Sequence, residues 1–287
     1  MLVVRRFADY AAGMKRFDVV ILGAGAAGMF CAGSLAGAGL EVLVLDHARR
    51  PGEKIRISGG GRCNFTNLAT GFERFLSGNP RFAASALAGY GPRDFVSLID
   101  GAGIAWHEKT LGQLFCDDSA RQVVDMLWRR MGAAQLWLEC GVRGVSPRDG
   151  GFTVETDQGP VAARHVVVAT GGKSIPKMGA TGIGYDIAQH FGLRLVAQRP
   201  GLVPLTFAQQ DLALCRPLAG VSVQAEVSHR GRRRTSFRDA LLFTHRGLSG
   251  PAILEISSFW QPGDEIRVDL APGAGLAHVL RERRGRA

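Results

Sequence analysis

An α/β architecture with a parallel sheet is expected from the first fifty residues of the chain. A compact apolar run, Phe17-Asp18-Val19-Val20-Ile21-Leu22, opens directly into Gly23-Ala24-Gly25-Ala26-Ala27-Gly28, and a second run from Glu41 to Leu45 closes on Asp46. Strand, glycine turn, small-residue helix and strand make one βαβ unit. Its strands, buried on both faces, read as near-continuous apolar stretches.

Each part of that unit has a physical task. Gly23 permits a tight turn, Gly25 lets a pyrophosphate approach the backbone, and Gly28 allows the helix to pack closely on the strand. The helix runs from Ala26 to about Gly37. Its first turn, at Ala26 and Ala27, supplies free N–H groups and the positive end of the helix dipole. Asp46 is placed to accept hydrogen bonds from ribose hydroxyls. The expected ligand is a dinucleotide with a free 2′-hydroxyl, which NAD and FAD share.

A second glycine-rich motif follows, Glu53-Lys54-Ile55-Arg56-Ile57-Ser58-Gly59-Gly60-Gly61-Arg62-Cys63-Asn64-Phe65-Thr66-Asn67. Three consecutive glycines beside Arg62, Asn64, Thr66 and Asn67 form a backbone nest suited to an anionic diphosphate. It falls at the carboxyl ends of the strands, where open α/β sheets bind ligands. Further on, Val221 to Val227 alternates apolar and polar residues and Asp264 to Leu270 reads as another strand, so a β-rich region follows the α/β one.

The chain is 287 residues long, enough for about two domains. With 46% hydrophobic and 21% charged residues it is globular in composition, which excludes disorder. The net charge is +10, and only Lys15, Lys54, Lys109, Lys173 and Lys177 are lysines, so the excess is arginine. The arginines gather at Arg230, Arg232, Arg233 and Arg234 and at Arg281, Arg283, Arg284 and Arg286. Neither cluster carries interleaved aromatics or a recognition fold, so nucleic acid is set aside as a partner. Cys31, Cys63, Cys116, Cys140 and Cys215 form no C-x-x-C pair and are odd in number, which fits reduced thiols in a cytoplasmic protein. The uncharged stretch Val19 to Leu40 is broken by glycines and is not read as a membrane span.

Candidate catalytic groups each have a plainer reading. Cys63 has no partner cysteine nearby in sequence and reads as an inert thiol. His107 and His245 read as structural, although either is able to serve as an acid or base near neutral pH. Asp117 and Asp118 precede Ser119 and an apolar-periodic segment, so they read as acids at a helix start and not as metal ligands. Trp128 and Trp137 read as core packing. The catalytic residues stay unassigned, and no metal is expected.

Beyond these motifs the chain resembles a known family. Ser58-Gly59-Gly60-Gly61-Arg62-Cys63-Asn64-Phe65-Thr66-Asn67 after the first glycine motif is similar to the BaiN-like, or aminoacetone-oxidase-like, bacterial flavoproteins. So are His107 to Cys116, Ala169-Thr170-Gly171-Gly172, Thr181 to Tyr185 and Leu242 to Pro251. The resemblance covers about Phe17 to Leu270. It implies a Rossmann-like FAD-binding domain over 15–195 and an inserted β-rich domain over 196–287, incomplete at its end; residues 1–14, which have no place in the βαβ unit, are expected to be a non-native or disordered extension. It places the diphosphate of FAD over Gly23 to Gly28 and the ribose at Asp46 and His47. Lys54 and the loop from Ser58 to Asn67 would follow the diphosphate and flavin. Val142 would meet the adenine, and Ala169, Thr170, Gly171 and Gly172 would close over the cofactor.

The expected activity is an FAD-dependent oxidoreduction of a small molecule, with NAD(P)H as a transient electron donor and no membrane partner. The alternatives are a truncated, non-catalytic flavoprotein fragment and, less favoured, a flavoprotein acting on RNA.

Overall fold

The computed structural model describes residues 14–230, 234–273 and 281; residues 1–13 of the expected extension, half of the first arginine cluster and most of the second lie outside them. The chain divides into two compact units between Val196 and Ala197.

The first unit follows the chain through β1 (Lys15–Leu22), α1 (Ala26–Leu35), β2 (Val42–Leu45), α2 (Glu53–Ile57) and β3 (Asn64–Asn67). It continues through α3 (Ala84–Gly89), α4 (Pro92–Gly101), β4 (Trp106–Glu108), β5 (Gln113–Cys116) and α5 (Ala120–Arg130). Then come β6 (Gln135–Trp137), β7 (Val142–Arg148), β8 (Gly151–Thr156), β9 (Val161–Val168) and α6 (Ile183–His190). The main sheet has the order β6-β2-β1-β9-β8-β7, and β6, β2, β1 and β9 run parallel. β7, β8 and β9 form an antiparallel meander along its other side. A small antiparallel sheet, β3-β5-β4, stands beside it.

Side chains alternate across a strand, and here both faces are covered. Val19, Ile21, Val42 and Val44 pack with Met29 and Ala32 of α1 and with Val123 and Leu127 of α5. Val20, Leu22, Leu43 and Leu45 face the opposite way, onto Val145, Val154 and Ile187. This explains why the sequence of β1 and β2 is apolar without alternation. Ser119 caps α5, its Oγ accepting from the Arg121 N–H, and no acid occupies the first turn of that helix. Trp128 departs from the core reading. The buried stripe of α5 runs through Val123, Val124 and Leu127, which turns Trp128 outward at 53% exposure. Trp137 does pack, edge-on against Phe17 with the Lys15 ammonium 4.5 Å over its ring.

The second unit carries β10 (Leu205–Thr206), α7 (Leu212–Cys215), β11 (Ser222–Arg230), β12 (Arg234–Thr244), β13 (Gly247–Ser249), α8 (Pro251–Ser257) and β14 (Ile266–Asp269). Its five strands form an antiparallel sheet, β10-β13-β12-β11-β14. Ala225, Val227 and Leu241 bury against Ile253 and Ile256 of α8. The buried His229 is satisfied by Asp264, Nε2 to Oδ2 2.9 Å. Among the described residues no helix is long and apolar enough to cross a membrane.

Candidate functional site

The parallel strands end together, and the turn after β1 is built against the end of β9. Gly23 sits at φ 108°, and a side chain there would meet the Ala169 carbonyl oxygen at 2.5 Å. Its N–H donates to the Leu45 carbonyl, while the Ala169 N–H donates to the Leu22 carbonyl. One step on, Gly28 is pressed against the same turn: a Cβ on it would lie 1.9 Å from the Gly23 carbonyl oxygen. Gly25 is the opposite case, with no heavy atom beyond its own chain neighbours within 4 Å of where its Cβ would stand. No side chain caps the N-terminus of the ten-residue α1 at Gly25, and no acid occupies its first turn. An open cradle beside uncapped N–H groups is what a phosphate requires.

Asp46 braces this cradle. Its Oδ2 accepts from the Ala24 N–H at 2.7 Å and its Oδ1 from the Ala48 N–H at 2.8 Å. Each carboxylate oxygen has a second lone pair for a ligand hydroxyl. His47 lies beside it, Nδ1 3.5 Å from Asp46 Oδ1, with its Nε2 against Gly179. Lys54 reaches across to the end of β9, donating to the Gly172 carbonyl at 3.3 Å and the Ser174 hydroxyl at 3.0 Å.

These elements enclose a cavity of about 720 Å³. That is at the upper end of the range of small-molecule and cofactor pockets. Gly23, Gly25, Ala26, Ala27, Asp46, His47, Lys54, Ser58, Cys63, Asn64, Val142, Ala169, Thr170 and Gly171 all border it. The residues present fit a dinucleotide: an uncapped helix start, a braced carboxylate at the end of β2 and a long, mostly apolar wall.

Other residues singled out in the sequence lie outside that lining. Gly28 is absorbed in helix packing, and Gly172 meets Lys54 through its carbonyl. The loop of Gly59, Gly60, Gly61 and Arg62 folds on itself. Gly59 and Gly60 are left-handed, and the Arg62 and Cys63 N–H groups donate back to the Gly59 and Ser58 carbonyls. Those two donors are therefore spent inside the turn and not offered outward. Thr66 and Asn67 belong to β3, where Asn67 ties the neighbouring hairpin by donating to the Leu111 carbonyl and accepting from the Ala69 N–H. The wall also contains Phe30, Tyr90, Phe95 and Met178, which the motifs did not mark, and Thr181. Only folding brings them in, and the sole signal was the Thr181 to Tyr185 match.

Cys63 stands out among the lining residues. It is buried, holds a left-handed φ of 52° and is not isolated, since Cys116 of the adjacent β5 lies close enough to feel its charge. Burial pushes the Cys63 thiol up, against a hydrogen bond with Ser58 that pulls the other way. Burial and then Cys63 push Cys116 up to about 11. His107 is paired to Asp117, Nδ1 to Oδ1 2.7 Å, and stacks on Phe115. Asp117 thus serves a strand histidine and not the start of α5. His245 is exposed in the turn between β12 and β13.

A search of known families matches residues 17–247 to the HI0933-like protein Rossmann domain. The chain belongs to the HI0933-like family. Its Rossmann-type, FAD-binding fold agrees with the sheet order and the glycine turn described above. Relatives of the chain include the ribosomal RNA dihydrouridine synthase of Escherichia coli, 49% identical over 94% of this chain and 68% of the relative. The enzyme of the same name from Haemophilus influenzae is 42% identical over 92% of this chain and 66% of its own. A 3-dehydro-bile acid delta(4,6)-reductase from Clostridium scindens is 28% identical over 90% and 66%. The chain therefore spans about two thirds of the length of each.

These relatives correct one expectation from the sequence. Nucleic acid was set aside as a partner and a small molecule favoured, yet the two relatives with 49% and 42% identity are named for a reaction on ribosomal RNA. The charge of +10 was discounted because its two arginine clusters lack a recognition motif. The resemblance to flavoproteins holds at the level of this HI0933-like family; the narrower BaiN-like grouping is not what those two relatives are named for.

Proposed function

We propose that this chain carries the flavin site of an enzyme that reduces uridine to dihydrouridine in ribosomal RNA. The observation that carries the reading is 49% identity across 94% of the chain to a ribosomal RNA dihydrouridine synthase. In this reading FAD binds the unit ending at Val196, and the β-rich remainder is an inserted domain. The diphosphate lies on Gly23 to Gly28, the ribose on Asp46, and the adenine near Val142. Lys54 and Ser58 follow the chain of the cofactor, and Ala169 to Gly171 close over it. Held by these residues, FAD would supply the hydride chemistry of the reduction, with NAD(P)H as its expected transient reductant.

The chain's own residues then bind, orient and protonate. Saturating the C5–C6 double bond needs one proton at C5, and that proton must come from an acid lining the cavity. Cys63 Sγ is our candidate: its S–H bond breaks, the proton passes to C5, and the thiolate regains a proton from solvent. Burial keeps the thiol protonated at neutral pH, the form a donor needs. Because its pKa is raised, the donor form persists until the pH climbs through that raised value. Cys63→Ala is expected to lower dihydrouridine formation about 10²–10⁴-fold. It should leave bleaching of the flavin by NAD(P)H unchanged and remove an alkaline limb from the pH profile. A Cys63→Ala protein with full turnover would exclude the thiol as donor.

The reading itself is tested on ribosomal RNA from a strain that lacks its own dihydrouridine synthase. FAD-loaded protein and NADPH are added, and the nucleosides are released and weighed by mass spectrometry. Dihydrouridine, heavier than uridine by two hydrogens, is the expected product. A protein that holds FAD and is reduced, yet forms none, would refute the assignment.

A further inference from the structure

Tyr90 belongs to the cavity wall, and the chain that leads to it leaves its rings in water. Between residues 70 and 93 rings alternate with guanidiniums: Phe72, Arg74, Phe75, Arg81, Phe82, Tyr90 and Arg93, with Glu73 the single acid. Burying one phenylalanine is worth about 1.5–3 kcal/mol. Yet Phe82 is 79% exposed and Phe75 48%, beside an equally exposed Leu76. Contiguous exposed apolar groups of this kind mark interaction surfaces.

The geometry favours one kind of partner. The Arg81 guanidinium lies 5.8 Å over the Phe72 ring, so a planar cation is already stacked on an aromatic face. Tyr90 is held edge-on against Phe30 at 5.1 Å, and both rings border the cavity. Exposed rings, one of them under a stacked guanidinium, therefore precede Tyr90 along the chain, and Tyr90 borders the place where a base would be reduced. Single-stranded RNA is bound this way, with its bases on aromatic or guanidinium planes and its phosphates on the cations. A protein partner for an apolar patch does not call for three arginines against one acid.

We propose that the segment 72–93 is the platform that holds the nucleotides flanking the target uridine. The inference rests on the ribosomal RNA reading above and adds where the RNA sits. A base inside a stack does not reach an enclosed cofactor, so the target must turn out and its neighbours lose their stacking. Phe75, Phe82 and the Arg81–Phe72 pair replace it.

The test uses the full FAD-loaded chain and a short fluorescent oligouridine, read by anisotropy over a range of salt. Phe75→Ala with Phe82→Ala is expected to weaken binding at least tenfold. Arg74→Gln with Arg81→Gln should weaken it and make the salt slope shallower by about 1.4, at about 0.7 per phosphate contact on a single strand. The charge-matched control, Arg16→Gln with Arg164→Gln, changes exposed arginines at the far end of β1 and β9 and should bind as the unmodified chain does. Flavin content and reduction by NAD(P)H should stay the same throughout. Unchanged affinity in the ring and arginine variants, with the parent chain binding RNA well, overturns the platform and leaves the proposed function standing. Failure of the parent chain to bind RNA overturns both. Loss of flavin or thermal stability in the ring variants, with RNA affinity kept, would mean that Phe75 and Phe82 pack against protein, and this also overturns the platform.

Discussion

Gly25→Ala is expected to leave the fold standing and to cost about a hundredfold in FAD affinity, roughly 2.7 kcal/mol. Gly25 has φ −81° and ψ −168°, a conformation alanine adopts freely, and beyond its own chain neighbours no atom of the protein lies within 4 Å of the added methyl. The methyl therefore enters only the space we assign to the diphosphate. Gly28→Ala is expected to fail differently. Its Cβ would lie 1.9 Å from the Gly23 carbonyl oxygen, so α1 must move off β1 and disturb a packed layer. Forcing such overpacking costs up to about 3 kcal/mol or more, a fall of about 6–12 °C in melting temperature for a domain of this size. Thermal melting of the apoproteins, together with the visible spectrum after desalting, separates the two effects. A Gly25→Ala protein that stays yellow through desalting would place the diphosphate elsewhere.

Asp46→Ala should damage both properties at once. The carboxylate accepts the Ala24 and Ala48 N–H groups, and hydrogen bonds to a charged acceptor contribute about 1.5–3 kcal/mol each. Allowing for their partial exposure, the apoprotein should lose about 3 kcal/mol, and FAD affinity should fall further through the missing ribose contact. Asp46→Asn is not a rescue, because its amide nitrogen would face one of the two N–H donors. Melting with and without saturating FAD resolves the two contributions. An Asp46→Ala apoprotein with unchanged melting would show that the brace is not structural.

Much of this was legible along the chain because it is local. The first βαβ unit needs small residues at Gly23 and Gly28 for contacts within a few positions, and both faces of β1 and β2 need apolar side chains. Those requirements leave marks on consecutive residues. The cavity wall leaves none: Phe30, Tyr90 and Met178 meet there from three separate parts of the chain, and each alone reads as an ordinary apolar residue. The loop from Gly59 to Arg62 is harder to read from sequence for a related reason. Its glycines suggest outward donors, whereas left-handed turns at Gly59 and Gly60 send two N–H groups back inside. Charge misled in the same way. Blocks of arginine at 230–234 and 281–286 draw the eye, while Arg74, Arg81 and Arg93 are spaced out among rings that resemble core residues until their exposure is known. Trp128 errs in the reverse direction, an aromatic on an apolar-periodic segment that points outward.

The closure of the Gly23 turn by Ala169 sets a timetable for synthesis. The turn and the helix behind it are complete early, but the backbone on which Gly23 rests emerges only after β9. At about 5–20 residues per second, roughly 7–30 seconds separate the two on the ribosome. During that interval one edge of β1 has no partner, and the later pairing with β9 must close a long loop, which is entropically costly and slow. The cofactor cradle therefore forms as a late event of folding, although its most recognisable residues are made well before β9.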